Sequence, residues 1–142
     1  MATDLSDEER RAFLSTGTRT AKLAVTTKNG APHVVPVWFV LDGDDVIFTT
    51  SETTVKGKAI QRDARVALCV DDENPPFSFV SIEGTASISR DPEELLAWAI
   101  KLGGRYMGED KAEQFGRRNA VPEEMLIRVT PAKTIAIAGM AD

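Results

Sequence analysis

The chain has 142 residues, 42% of them hydrophobic and 27% charged, enough for one soluble domain with its own core and no need of metal or disulfide staples. Seventeen Lys and Arg against 22 Asp and Glu leave a net charge of −5, the wrong sign for a nucleic-acid platform, although a local positive patch for a small anion stays open. One cysteine, Cys69, and one histidine, His33, exclude an internal disulfide and a zinc site of the usual Cys/His kind.

The opening MATDLSDEERRAF is acidic and has no apolar h-region, so no signal peptide is expected. No apolar run approaches the roughly 20 residues of a membrane span. A cytoplasmic protein without membrane contact is the expectation. Ser6 followed by Glu9 predicts a capped first helix that ends on Phe13 and Leu14 before Gly17. The period then changes. Ala21, Leu23 and Val25 alternate with Lys22, Ala24 and Thr26, and Asn29-Gly30 predicts a hairpin.

The return segment APHVVPVWFVLDGDD reads as one strand apolar on both faces, because Val34 to Leu41 offers almost no polar position. Either a helix or a second subunit must cover its outside, and Pro36 demands an edge or a bulge. VIFTTS predicts a third strand. A helix over Val55 to Arg62 follows, capped by Thr53 or Thr54, with Val55, Ala59 and Ile60 expected on its buried side. RVALCVDD is a fourth strand and FSFVSIEGTASIS a fifth. Asp91-Pro92 with Glu94 opens a longer helix that Gly103-Gly104 should loosen. KAEQFGRRNA predicts a short helix, and MLIRVTPAKTIAIAG a strand pair bent at Pro131. Residues 1–142 thus read as a single domain, mainly β with short helices, closed or half-closed into a small barrel.

The stretch FTTSETTVKGKAI carries the chemistry. A helix start offers unpaired N–H groups and the positive end of its dipole to an anion. Thr49, Thr50 and Ser51 add hydroxyls, Lys56 and Lys58 add charge, and Gly57 permits close backbone approach. A solvated surface turn would carry the same residues, and spacing alone leaves both readings open.

The run from Phe48 to Leu68 resembles the phosphate-binding segment of the pyridoxamine 5′-phosphate oxidase-like superfamily, the flavin-binding split β-barrels. LAVTTKNGAPHVVPVWF is similar to that family's first hairpin, and SIEGTASI to its long strand. GGRYMGEDKAEQFGRRN and LIRVTPAKTI resemble its actinobacterial branch, whose members use the deazaflavin F420. The order and spacing of these segments, across most of the chain, carry the resemblance.

The resemblance implies a Greek-key-like split β-barrel that works as a homodimer and acts on a small-molecule substrate. It implies that Lys56 holds the cofactor phosphate, with Thr49 and Ser51 at the neighbouring hydroxyl positions and Lys58 as a second basic residue. It also places the backbone of Val35, Pro36, Val37 and Trp38 along the cofactor ring, with Pro32 and His33 at its edge. For His33 a structural role stays open, as does a packing role for Trp38.

Phe77 and Phe79 could wall an apolar substrate pocket or simply pack, and Tyr106 joins that pocket as a possible proton donor. Arg105, Arg117 and Arg118 are candidates for an acidic cofactor tail. Cys69 reads as buried filler, and Glu83 as a partner for a lysine or arginine. Val55 stands where the flavin-using relatives carry an arginine, which favours F420 over FMN. The final IAIAGMAD lacks the Trp/Arg-bearing tail of pyridoxamine phosphate recognition, so oxidation of that compound is not expected. The function implied is hydride transfer from reduced F420 to an unsaturated apolar molecule such as an enone, a quinone or a conjugated pigment. An FMN oxidoreductase and a non-catalytic binder of a cofactor or hydrophobic ligand are the alternatives.

Overall fold

The computed structural model describes residues 1–142. A two-residue strand β1 (Thr3–Asp4) precedes helix α1 (Asp7–Ser15). The capping box forms as expected: the Glu9 N–H donates to Ser6 Oγ at 3.1 Å, and the Ser6 N–H donates to Glu9 Oε1 at 2.9 Å. In β2 (Ala21–Thr26) the alternation buries Ala21, Leu23 and Val25. The hairpin into β3 (Pro32–Val37) turns at Gly30, whose φ of +84° suits glycine.

The expectation of one strand from Val34 to Leu41 is corrected. β3 ends at Val37, and after Trp38 and Phe39 a separate strand, β4 (Val40–Asp42), begins. β5 (Asp45–Ser51), α2 (Val55–Arg62), β6 (Arg65–Asp71), β7 (Phe79–Ser89) and α3 (Pro92–Met107) follow. A 3₁₀ turn at Glu109–Lys111, α4 (Ala112–Asn119) and β8 (Glu124–Ala138) complete the chain. The expected terminal strand pair is one 15-residue strand. Its bend is a bulge: Gly84 pairs with Pro131 and Glu83 with Lys133, leaving Ala132 unmatched.

Every pairing is antiparallel, in the order β3-β2-β6-β7-β8-β5-β4, and β1 pairs with the far end of β8. The two edge strands fix the shape. In a flat sheet, strands with five others between them would lie roughly 29 Å apart at the ordinary strand spacing. Only Trp38 and Phe39 join β3 to β4, a reach of at most about 11 Å. The sheet must therefore curl until its edges nearly meet, a barrel left split along β3. Pro36 sits on that edge strand, where its missing N–H costs no ladder bond.

Nineteen buried residues, among them Leu23, Phe39, Phe48 and Ile127, fill the barrel. On the outside, Ile47 of β5 and Leu126 of β8 pack under Leu95 of α3, with Trp98 alongside. The apolar strand residues are thus covered on the outside by a helix along only part of the sheet. Gly103 and Gly104 do not loosen α3, which runs on to Met107. They are contact points: a Cβ on Gly103 would stand 2.9 Å from the Ala112 carbonyl oxygen, and one on Gly104 2.8 Å from the Glu109 carboxylate. Val55, expected inside, is 52% exposed, and Gly57 takes its place on the buried face of α2 with Ala59 and Ile60.

Candidate functional site

Strand β5 delivers its outward side chains, Thr49 and Ser51, to the foot of α2, and the register with β8 sets Glu124 directly across from Ser51. The turn between β5 and α2 is tied by hydroxyls. Thr54 is the N-cap, accepting from the Gly57 N–H at 3.0 Å and donating to the Ser51 carbonyl at 3.0 Å. The buried Thr50 hydroxyl lies 2.9 Å from that of Thr54, and Ser51 Oγ lies 2.9 Å from Thr53 Oγ1 and accepts from the Thr53 N–H. Gly57 does permit a close approach, but to its own chain: a Cβ there would strike the Ser51 carbonyl oxygen.

Two features of this corner are unspent. The N–H groups of Val55 and Lys56 have no backbone acceptor, as expected for the first residues of a helix. The Lys56 ammonium joins none of the chain's ion pairs.

A recess of about 260 Å³ opens here, lined by Pro36, Val37, Trp38, Thr49, Lys56, Ala99, Leu102, Asn119 and Glu124. It joins the end of β3 to the start of α2, the two segments that the sequence singles out for the ring and the phosphate. Ser51 and Lys58 stand outside its lining; Lys58 is exposed on α2. Pro32, His33 and Val35 lie further back along β3, where Pro32 borders a shallow hollow on the outer sheet face with Arg65, Gly84 and Ala132.

The three residues considered for a substrate pocket do not come together in this recess. Phe79 begins β7, and Phe77 precedes the strand in the loop after the cis Pro75-Pro76 bond, with φ of +59°. Tyr106 turns away from solvent. Its hydroxyl accepts from the Phe39 N–H at 3.1 Å and donates to the Arg19 carbonyl at 2.7 Å, and burial pushes its pKa up. Its ring stacks on Trp38 at 4.9 Å between centroids and 3° between planes.

Arg105 donates to the carbonyls of Phe39 (2.6 Å), Leu14 (2.7 Å) and Gly17 (3.0 Å), and its half-burial lowers its pKa. Both residues clamp the Trp38–Phe39 crossing. Arg117 pairs with Glu113 on the same helix, and Arg118 lies over Phe115. Cys69 is half-exposed on the outer face, and Glu83 is exposed opposite Lys133.

Sequence reasoning passed over Glu124, Asn119, Ala99 and Leu102. Glu124 is half-buried, and desolvation pushes its carboxyl pKa up; the Thr49 hydroxyl and the positive Lys56 act against that, while Glu123 adds to it. Its signal was the register of β8: starting the strand at Met125 leaves out the residue that faces the recess. The donor set suits a phosphate-bearing cofactor. Lys56 and Thr49 line the recess, two N–H groups without backbone acceptors stand at the adjacent start of α2, and the apolar Val37, Trp38 and Leu102 offer a surface for a flat ring.

Comparison with known proteins agrees with this fold. The conserved hypothetical protein Rv2991 from Mycobacterium tuberculosis superposes with a TM-score of 0.83 at 26% identity, over 93% of this chain and 84% of its own. An F420 reductase superposes at 0.68 with 27% identity, over 85% of this chain and 92% of its own. HutZ, the heme storage protein from Vibrio cholerae, shares the fold at 0.74 with 17% identity, over 95% and 97% of the two chains. No curated protein matches the sequence. The pattern of the family described as pyridoxamine 5′-phosphate oxidase matches residues 6–138, nearly the whole length, and this chain with its split barrel belongs to that family.

Proposed function

We propose that the protein is an F420-dependent oxidoreductase that passes a hydride from the reduced deazaflavin to an unsaturated apolar molecule, such as an enone, a quinone or a conjugated pigment. The observation that carries this is the recess itself: Lys56, which joins no ion pair, lines it together with Pro36, Val37 and Trp38 from the end of β3. The likeness to an F420 reductase at 27% identity supports the choice of cofactor. So does Val55, which leaves Lys56 without a neighbouring guanidinium to bind a phosphate monoester in bidentate fashion.

The cofactor would supply the hydride. The chain supplies position. Lys56 neutralises phosphate charge, Thr49 and the free N–H groups of α2 donate to its oxygens, and Trp38, held by Tyr106 and Arg105, fixes one wall. Phe77 and Phe79 are proposed to wall the substrate from the neighbouring subunit's side.

The working form is proposed to be a cytoplasmic homodimer, paired through the outer sheet face that α3 leaves open. On that face Val34 is 63% and Ile135 44% exposed, large apolar residues that a partner would bury.

Parallel fluorescence titrations with F420 and FMN test the proposal. Saturation by F420 at micromolar concentration, with FMN much weaker, is expected, followed by consumption of reduced F420 when enones, quinones or biliverdin-like pigments are added. Tighter FMN binding would return the protein to flavin chemistry. Binding without turnover would make it a carrier. Saturation by neither would remove the cofactor site altogether.

A further inference from the structure

Glu124 is at odds with an anion site. A carboxylate that faces a phosphate position is repulsive when ionised, and its partial burial weakens the screening by water. Its surroundings are well defined. β5 contributes the Thr49 hydroxyl and, directly opposite, Ser51. Lys56 comes from α2 and Asn119 from α4, while α3 presents only Ala99 and Leu102. Glu123, its neighbour in sequence, adds a second negative charge.

Lys56 is therefore the one cation in the recess. With no ligand present it offsets Glu124. A bound phosphate competes for that same ammonium, and the carboxylate is left beside two negative groups with one positive charge among them. Neutralising Glu124 resolves the conflict: a protonated carboxyl can donate a hydrogen bond to phosphate or to a ligand hydroxyl.

We propose that Glu124 takes up a proton from solvent when a phosphate-bearing ligand enters the recess, so that anion binding there is proton-linked and weakens as pH rises. This rests on the recess being the cofactor's phosphate site. Burial already moves the Glu124 carboxyl above its ordinary range in the free protein, and an added anion pushes in the same direction. A site built from Lys56 and Thr49 alone would have no such dependence. The linkage also disfavours ligands with more negative charge at the phosphate, a selection for a diester over a monoester dianion.

The test compares the full-length wild type with Glu124→Gln, titrated with F420 and with FMN from pH 5 to pH 8. Taking the ratio of the two proteins' affinities at each pH removes the ligands' own titrations. The ratio in favour of Glu124→Gln should be smallest at pH 5 and grow to about tenfold by pH 8, the linkage expected for one pKa unit. Calorimetry of wild-type binding in buffers of different ionisation enthalpy should show proton uptake, and this needs no variant. A ratio that stays flat, weaker binding by Glu124→Gln at pH 8, or no proton uptake by the wild type would overturn the proposal while leaving the cofactor site in place. No saturable binding by the wild type at any pH would overturn both.

Discussion

Tyr106 and Arg105 do their work on a backbone segment rather than on a ligand. Adjacent near the end of α3, they hold the Trp38–Phe39 crossing by donating to or accepting from its main-chain groups. Tyr106→Phe keeps the stack on Trp38 but leaves the Phe39 N–H without its acceptor. A loss of about 1–3 kcal/mol in unfolding free energy is expected, measurable by urea denaturation. The sequence marks both residues as polar and aromatic on a helix, but their targets lie 66 and 67 positions away, so no local pattern discloses the role.

Glu124 offers a second check at the same scale. Its folded-state pKa lies above the unfolded one, so the folded chain binds that proton more tightly. The associated stability is full below the unfolded-state value and is lost as pH rises through the folded-state value. Glu124→Gln should therefore be more stable than the wild type at pH 8, by less than about 1 kcal/mol for a half-exposed group, and equal to it at pH 4.

Among the elements, α2 is the most informative, because its bounds at Val55 and Arg62 and its Thr54 cap agree with what the sequence predicts. Its orientation was less legible. Glycine propensity says nothing about burial, and only the fold brings Gly57 against the Ser51 carbonyl. Gly57→Ala should lift α2 from β5 and weaken cofactor affinity at least tenfold, read by the same fluorescence titration, with some loss of stability from overpacking.

The α3–α4 pair behaves alike. A Cβ on Gly116 would stand 2.8 Å from the Ile100 Cα, a backbone atom that cannot turn aside. Gly116→Ala should cost about 1–3 kcal/mol in thermal or denaturant unfolding. β2 was readable because one of its faces is buried and the other wet. The run from Val34 to Leu41 was not, since residues that change sheet edge mid-run carry no period to count. A single register step hid Glu124 in the same way at the start of β8.

For the whole molecule, the barrel follows from topology. Two residues must join edges with five strands between them, and the split they leave is where the recess lies. Partial cover by α3 leaves an open outer face around Val34 and Ile135. Light scattering should give twice the 15.4 kDa chain mass, and Val34→Lys combined with Ile135→Lys should return a folded monomer. A wild-type mass of one chain would show that the face stays bare.

The anion site at Lys56 is tested most directly by titrating the wild type and Lys56→Ala side by side with F420. A weakening of about 1–3 kcal/mol, roughly 5- to 150-fold, with an unchanged unfolding midpoint, is the predicted result for a lost charge-assisted hydrogen bond. Equal affinities would mean that the lysine is a solvated turn residue and that the recess does not hold the cofactor phosphate.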